Sequence, residues 1–459
     1  MALVLVRSTR ISIDKNLRCS IFDRESINFM EEISANTDMA KAVFENYRRD
    51  YLFYFSRLLN RVMVEPDMIQ LMLTPRCNIR CKICDVWKQE FTEELTTDEV
   101  KSLIEQAIDM GIKMIYFTGG EALLRKDIFE LINYASRPGI ITTVNTNGSF
   151  ITEGFAKEIV SSKLRNINFS IDGSTAEIHN SIRGDDVFER AIKAIGYINY
   201  YKKMLHRENT DGEERKLDIA MASVIMKCNI EELPRLAILA KELGCCYISF
   251  QPLVSNGNLL ESNNFQTDFW IAEEDIPKLS KAFQELECLK KEMSRDICID
   301  FMPEKTIQHF GKGRIVNTCF AGFSRIFVNP KGDISFVCYE SFGNARRNSM
   351  KEAWHSREAY LIRERTKSCR VNCTQFCSER SQSDDINLIH GRLMEETGGL
   401  SLDTQKIILD CEYSFLLSIS EEIRLTIVQK KDNSLVGILN DLENITASVR
   451  RRMVSGNIK

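Results

Sequence analysis

Between residues 68 and 251 the chain alternates six short apolar runs with five stretches of helical spacing. The runs fall at 68–74, 114–118, 140–144, 166–171, 219–226 and 246–251. Each is short and bounded by turn residues, which reads as a buried strand. Between them, amphipathic stretches lie near 96–110, 126–136, 153–163, 187–204 and 230–243. In the first, Thr96 and Glu99 have capping-box spacing. Val100, Leu103, Ile104, Ala107 and Ile108 make one apolar stripe, and Gly111 supplies the stop. Strands apolar on both faces that alternate with helices imply a parallel sheet between helices. In barrel-type sheets of this kind the chemistry sits at the C-terminal ends of the strands.

The chemistry-bearing residues fall at those ends. Cys77, Cys81 and Cys84 stand as Cys-x3-Cys-x2-Cys directly after the first run. Three thiolates on one tight loop can hold three irons of a four-iron cluster and leave the fourth open. An open iron is a place for chemistry, whereas a fully ligated cluster mainly moves electrons. Closely spaced cysteines also make zinc sites, so spacing alone leaves both metals open. Further along come Gly119-Gly120-Glu121 after the second run, Asn145-Thr146-Asn147-Gly148 after the third and Ser170-Ile171-Asp172-Gly173 closing the fourth. His179 to Gly184 follows.

In identity and order these motifs resemble the radical S-adenosylmethionine (SAM) superfamily, from Pro66 to about Pro303. The resemblance implies an α/β fold: a partial (β/α)6 barrel, then a small SPASM/twitch-like β-hairpin domain and C-terminal helices. It implies a 4Fe–4S cluster on Cys77, Cys81 and Cys84 with SAM at the open iron. Reductive cleavage of SAM then yields a 5′-deoxyadenosyl radical that takes hydrogen from a substrate. Such chemistry belongs to the cofactors, and the protein supplies placement and shielding.

The resemblance also assigns residues to SAM. Gly119 and Gly120 would let the backbone approach its amine, with Glu121 offsetting the charge. Ser170 and Asp172 end the fourth strand beside the expected ribose, and Arg183 offers a planar fork to the carboxylate. Asn147 would face the same crevice. Gln251 resembles an adenine-side contact, with a plain core or loop role equally open. The residue before the third cysteine is usually aromatic in this family and here is Ile83.

A second group of cysteines follows: Cys319-x12-Gly332-x5-Cys338, then Cys369-x3-Cys373-x3-Cys377. Phe327 to Cys338 reads as a hairpin around Asn-Pro-Lys-Gly-Asp. This resembles the SPASM/twitch extension, which implies one auxiliary 4Fe–4S cluster on Cys319, Cys338, Cys373 and Cys377. Cys369 would be a substitute ligand or a lone thiol, and a structural zinc is the alternative. Tyr339 and Glu340 follow Cys338 and are candidates to face the substrate.

The chain has 459 residues and a formal net charge of −4, so no global basic field argues for nucleic acid. No apolar run reaches the length of a membrane span. The first eight residues lack the features of a secretory signal. Fifteen cysteines without an export signal point to a reducing compartment, hence the cytoplasm. The expected divisions are 1–66, a mostly helical extension; 67–303, the barrel; 304–383, the auxiliary-cluster domain; and 384–459, a helical region.

The expected partners are a peptide or small-molecule substrate and a reductant such as flavodoxin or ferredoxin. Modification of a peptide or natural-product intermediate leads. Dehydrogenation or epimerisation of an aminocyclitol or sugar is the alternative, and a non-enzymatic iron–sulfur or zinc protein is the remote one.

Overall fold

The computed structural model describes residues 37–89, 93–208, 217–254, 269–311, 319–336, 340–367, 385–398, 400, 402–430 and 433–455. They divide into two compact units. One comprises residues 65–367; the other comprises 37–64 with 385–455.

The first unit is built on one ten-stranded sheet. Its strands are β1 (Met68–Met72), β2 (Met114–Thr118), β3 (Ile141–Thr146), β4 (Asn166–Ser170), β5 (Asp218–Ile225), β6 (Tyr247–Pro252), β7 (Cys298–Asp300), β8 (Arg325–Val328), β9 (Asp333–Ser335) and β10 (Gly343–Asn344). β1 to β7 pair in chain order, all parallel. That is the alternating β/α unit expected from the sequence, with one strand more.

Helices occupy Thr97–Asp109, Ile128–Ala135, Glu153–Ser161, Val187–Glu208, Leu233–Glu242 and Ile276–Glu292. The capping box is formed as read: Thr96 Oγ1 accepts from Glu99 N, and Glu99 Oε2 accepts from Thr96 N at 2.8 Å. An additional short helix, Ala176–Arg183, carries His179 and Arg183.

The expected hairpin forms from β8 and β9, paired antiparallel. It does not stand apart from the barrel. β8 runs parallel to β1, with Met68 opposite Arg325 and Leu71 opposite Val328. The hairpin therefore extends the barrel sheet past its first strand. Behind it, Arg363 is 2% exposed, donates to the carbonyls of Gly322 and Trp354, and lies over the Trp354 and Phe336 rings.

The two faces of the sheet differ, contrary to the reading of strands apolar on both. One face carries Ile115, Phe117, Val144, Ile167, Phe169, Ile248 and Phe250, all 0% exposed. The alternate face is mixed: Met68, Met114 and Ile141 form its first row, and the rows nearer the strand ends are mainly polar or small. Tyr116, Thr143 and Asn166 align in one cross-strand row, and Asn145, Asn168, Ala220 and Tyr247 in the next. Strand alternation sends the two sets to opposite faces.

The second unit packs the helix Thr37–Leu59 with the helices Ile386–Thr397, Leu402–Lys430 and Val436–Ser455. Phe44, Tyr51, Phe55, Leu393, Leu416, Ile423, Leu442 and Val449 share one core. The two helical stretches read separately at either end of the sequence thus bury one common face. Inside it, Tyr51 OH donates to Glu412 Oε1 at 2.7 Å, and His390 Nδ1 lies 2.9 Å from the same oxygen. Among the described residues no helix is long and apolar enough to cross a membrane.

Candidate functional site

β1 ends at Met72, and the chain turns through Pro75 into the cysteine loop. Cys81 is buried, and Cys77 and Cys84 are half-buried. The three thiols pack with Ile79, Ile83 and Val187 in one cluster, and none is in a disulfide. Ile83, which stands where the family has an aromatic residue, is part of that apolar lining.

The loop is tied down on both sides. Lys82 N donates to Ile182 O at 3.0 Å, which fastens it to the end of the Ala176–Arg183 helix. Asn78 Nδ2 donates to Ser149 Oγ at 2.8 Å, and Asn147 Nδ2 donates to Asn78 Oδ1 at 3.0 Å and approaches Cys77 Sγ at 3.9 Å. Burial pushes the Cys81 thiol up to about 11, against the pull of the nearby Arg183 guanidinium. Burial raises the Cys77 thiol as well. Both shifts favour the neutral thiol in this pocket. Among the described residues no three Cys, His, Asp or Glu groups close on a point that would hold a single ion.

The Gly119-Gly120 turn meets this loop backbone to backbone. Gly120 N donates to Thr74 O and Glu121 N to Arg76 O, each at 2.8 Å. A Cβ on Gly119, whose φ is +153°, would sit 2.3 Å from Thr74 O. One on Gly120 would sit 2.4 Å from both Pro75 O and Arg76 O. The glycines are therefore required by the protein's own packing.

The Glu121 side chain is likewise committed inward. It is 1% exposed and accepts from Leu123 N at 3.3 Å and from Asn147 N at 2.8 Å. Burial raises its carboxyl to about 7, partly offset by those amides. Glu121 and Asn147, placed by sequence against SAM, stitch the ends of β2 and β3 to the cysteine loop.

Ser170 and Asp172 lie at the end of β4, 9% and 0% exposed. Asp172 Oδ2 accepts from Arg183 Nε at 2.6 Å, and Oδ1 accepts from Val224 N at 2.8 Å. Its backbone N donates to His179 Nδ1 at 3.1 Å. That nitrogen is therefore unprotonated, and burial together with Arg183 lowers the ring to about 3. Despite its burial, Arg183 is held charged by the Asp172 carboxylate. It lies between the Asp172 carboxylate and the cysteine loop, with its terminal nitrogens not used by Asp172 in that bond.

Gln251, at the end of β6, is half-buried, and its Nε2 has no partner. Asn229 was not singled out from the sequence. It is 0% exposed, its Nδ2 donates to Asp172 O and Val224 O at 2.8 Å, and it locks the loop after β5. An Asn in a post-strand turn gives no distinguishing signal by itself.

Of the second cysteine group, Cys319 is described: it is buried and stands just before Phe320, the N-cap of the short helix Ala321–Ser324. Cys338, Tyr339, Cys369, Cys373 and Cys377 lie outside the described residues. Glu340 is exposed and pairs with Arg365.

Comparison with known proteins gives two family matches. Residues 71–203 match the radical SAM superfamily, and residues 319–374 match an iron–sulfur cluster-binding domain, SPASM. Among curated proteins the chain is 26% identical over 314 residues to the AdoMet-dependent heme synthase of Methanosarcina barkeri, covering 64% of this chain and 84% of that one. It is 25% identical over 325 residues to the PqqA peptide cyclase of Rhizobium meliloti, covering 66% and 77%. Among solved structures, Streptococcus suis SuiB bound to S-adenosylmethionine superposes with a TM-score of 0.53 at 15% identity, covering 74% of each chain. SuiB bound to its precursor peptide SuiA gives 0.51 at 16% identity, covering 78% and 76%.

Proposed function

This chain belongs to the radical SAM superfamily and carries a SPASM iron–sulfur domain, and from that premise we propose that it modifies a peptide by hydrogen abstraction. The cluster and SAM together supply, when bound, one electron and a 5′-deoxyadenosyl radical able to take hydrogen from an unactivated carbon.

The chain's own residues do the rest. Cys77, Cys81 and Cys84 would hold three irons of the cluster and leave one open for SAM. Arg183, fixed by Asp172, offers its guanidinium to the SAM carboxylate. The backbone of the Gly119-Gly120 turn would meet the SAM amine. Ile83 and Val187 keep water from the cysteine loop. The SPASM domain holds the auxiliary iron–sulfur centre, with Cys319, Cys338, Cys373 and Cys377 as its ligands.

The observation that carries the reading is the joint placement of three free thiols, the Gly–Gly turn and the Asp172–Arg183 pair at one end of a parallel sheet. The peptide half rests on two neighbours: a relative named as a peptide cyclase and a fold neighbour solved with a precursor peptide. A reducing cytoplasm and a flavodoxin- or ferredoxin-type reductant follow from the chemistry.

The test is anaerobic reconstitution with iron and sulfide, then dithionite and SAM, with 5′-deoxyadenosine as the readout. Turnover in the wild type and none in the triple variant Cys77→Ala/Cys81→Ala/Cys84→Ala is expected. Equal turnover in both would overturn the reading.

A further inference from the structure

We propose that the polar face of the barrel sheet, below the rim that holds the cysteine loop, carries an amide-recognising subsite made by Tyr116, Asn166 and Asn168, which seats the backbone of a peptide substrate. This deepens the reading above and rests on it for the identity of the reaction.

Strand register puts the three side chains together. Tyr116, Thr143 and Asn166 are one row; Asn145, Asn168 and Ala220 are the next, one step nearer Ser170 and the rim. Two residues along a strand advance about 6.6 Å. Asn168 is thus about one side-chain layer beneath Ser170, within reach of a substrate lying under SAM.

Gln70, Met72, Thr118 and Asn145 on this face are half-buried, while the residues between them in sequence are fully buried.

Within this face, polar atoms are left without partners. Asn166 Nδ2 donates to Thr143 Oγ1 at 3.3 Å, and Asn168 Nδ2 donates to Asn145 Oδ1 at 3.2 Å. The other end of each carboxamide, and the Tyr116 hydroxyl, have no hydrogen-bond partner. All three residues are at least nine-tenths buried, at 2%, 0% and 4% exposure for Tyr116, Asn166 and Asn168. A buried polar group left unpaired costs the protein stability. Three on one face are kept at that cost where something else satisfies them.

The chemistry of the set selects the ligand. A carboxamide has a donor and an acceptor in one plane, and so does a peptide bond. Tyr116, Thr143, Asn145, Asn166 and Asn168 carry amides and hydroxyls; beyond Asn166 the first row continues to Asp218, whose charge is paired with Arg165. The charge felt at Tyr116 is Arg325, which stands one row farther from the rim. A neutral, repeating donor–acceptor ligand fits the rows, and a carboxylate group reaching Arg325 is the competing chemistry.

The experiment uses the reconstituted full chain with SAM. A pool of N-acetylated, C-amidated hexapeptides and a pool of short aliphatic carboxylates are compared as probes. Readouts are the thermal midpoint and the rate of 5′-deoxyadenosine formation. The capped peptides are expected to raise both. Tyr116→Phe is expected to melt no lower than wild type, because its hydroxyl has no partner to lose, yet to weaken the response to capped peptides about fivefold to tenfold. Asn168→Leu is expected to lose the response while retaining SAM cleavage without peptide.

The proposal is overturned if Tyr116→Phe melts several degrees lower with its peptide response intact. It is also overturned if carboxylates stimulate and capped peptides do not. The radical reading is tested separately by SAM cleavage without any probe. If that fails, the thermal shift still reads the subsite.

Discussion

Arg183 Nε donates to Asp172 Oδ2 across 2.6 Å, in a pair whose side chains are 11% and 0% exposed. The pair joins the end of β4 to the end of the helix behind the cysteine loop. Sequence reasoning assigned the two residues to different parts of SAM. The structure makes one the holder of the other. Removing Asp172 would leave a buried guanidinium without its partner, a loss of about 3–5 kcal/mol. Asp172→Ala is therefore expected to destabilise the barrel more than Arg183→Met does. Arg183→Met is expected to keep the first cluster's iron and weaken SAM binding by about tenfold or more, the loss of one charge-assisted contact. Isothermal titration with SAM and iron analysis on the same samples check both. Unchanged SAM affinity in Arg183→Met would remove Arg183 from the site.

Glu121 should give the protein a pH signature. Its carboxyl is raised to about 7 by burial. A raised acid is neutral at low pH and must charge inside the fold as pH rises. Its contribution is fully present below the unfolded value near 4.5 and is lost as pH climbs through about 7. In Glu121→Gln this site no longer titrates. The stability of wild type minus that of the variant should fall between pH 5 and pH 7.5 and level off above, by an amount on the order of 3 kcal/mol. Anaerobic denaturant unfolding across that range is the measurement. A flat difference would mean that the amides of Leu123 and Asn147 hold the carboxylate charged throughout.

Most of the scaffold was legible because its signals are local. The capping box at Thr96 and Glu99, the apolar stripe from Val100 to Ile108 and the Asn-Pro-Lys-Gly-Asp turn each specify a geometry within a few residues. The cysteine loop was legible for the same reason. What was hidden depends on pairings across the chain. Nothing near Arg325 says that β8 will lie against β1, or that residues 37–59 will meet helices more than three hundred residues later. The two-faced character of the barrel strands was readable and was passed over. Asn166-Ile-Asn-Phe-Ser170 alternates strictly, but its apolar members dominate a window average. Motif position places Glu121 and Asn147 at the strand ends, but it does not say that Glu121 also accepts from the amides of Leu123 and Asn147.

The Gly119-Gly120 turn offers a contrast with an ordinary glycine. In Gly120→Ala the new Cβ would press on two backbone oxygens at 2.4 Å, neither of which can swing away like a side-chain tip. Overpacking of this kind costs about 1–3 kcal/mol and shifts backbone. The backbone that shifts is the entrance to the cysteine loop. Gly120→Ala is expected to lower iron at the first cluster and to abolish SAM cleavage. Gly154 lies in the helix Glu153–Ser161 with nothing within 4 Å of its Cβ position. Gly154→Ala is expected to be neutral or to stabilise by up to about 1 kcal/mol, through helix propensity. Iron content and thermal midpoints of the two variants, measured side by side, decide the matter. Normal iron in Gly120→Ala would show that the turn yields.

The two cysteine groups should separate by iron counting. The triple variant Cys77→Ala/Cys81→Ala/Cys84→Ala removes every thiolate of the first cluster and none of the second group. If the SPASM domain holds one cubane, this variant retains about four irons with matching sulfide and a cubane-like Mössbauer spectrum. Cys319 is buried just before the N-cap of a short helix whose Gly322 carbonyl is clasped by Arg363. It is presented from a fixed backbone, and Cys319→Ala on the triple-variant background is expected to remove most of the remaining iron. Local structure should loosen with it, because ligand binding and folding are coupled at such sites. Cys369→Ala on the same background is expected to be mild if Cys338, Cys373 and Cys377 complete the set. Loss of iron in Cys369→Ala with retention in Cys373→Ala would exchange those two ligands and leave the function untouched. Zinc in place of iron and sulfide, in protein purified without oxygen, would make the second site structural and remove it from any electron path.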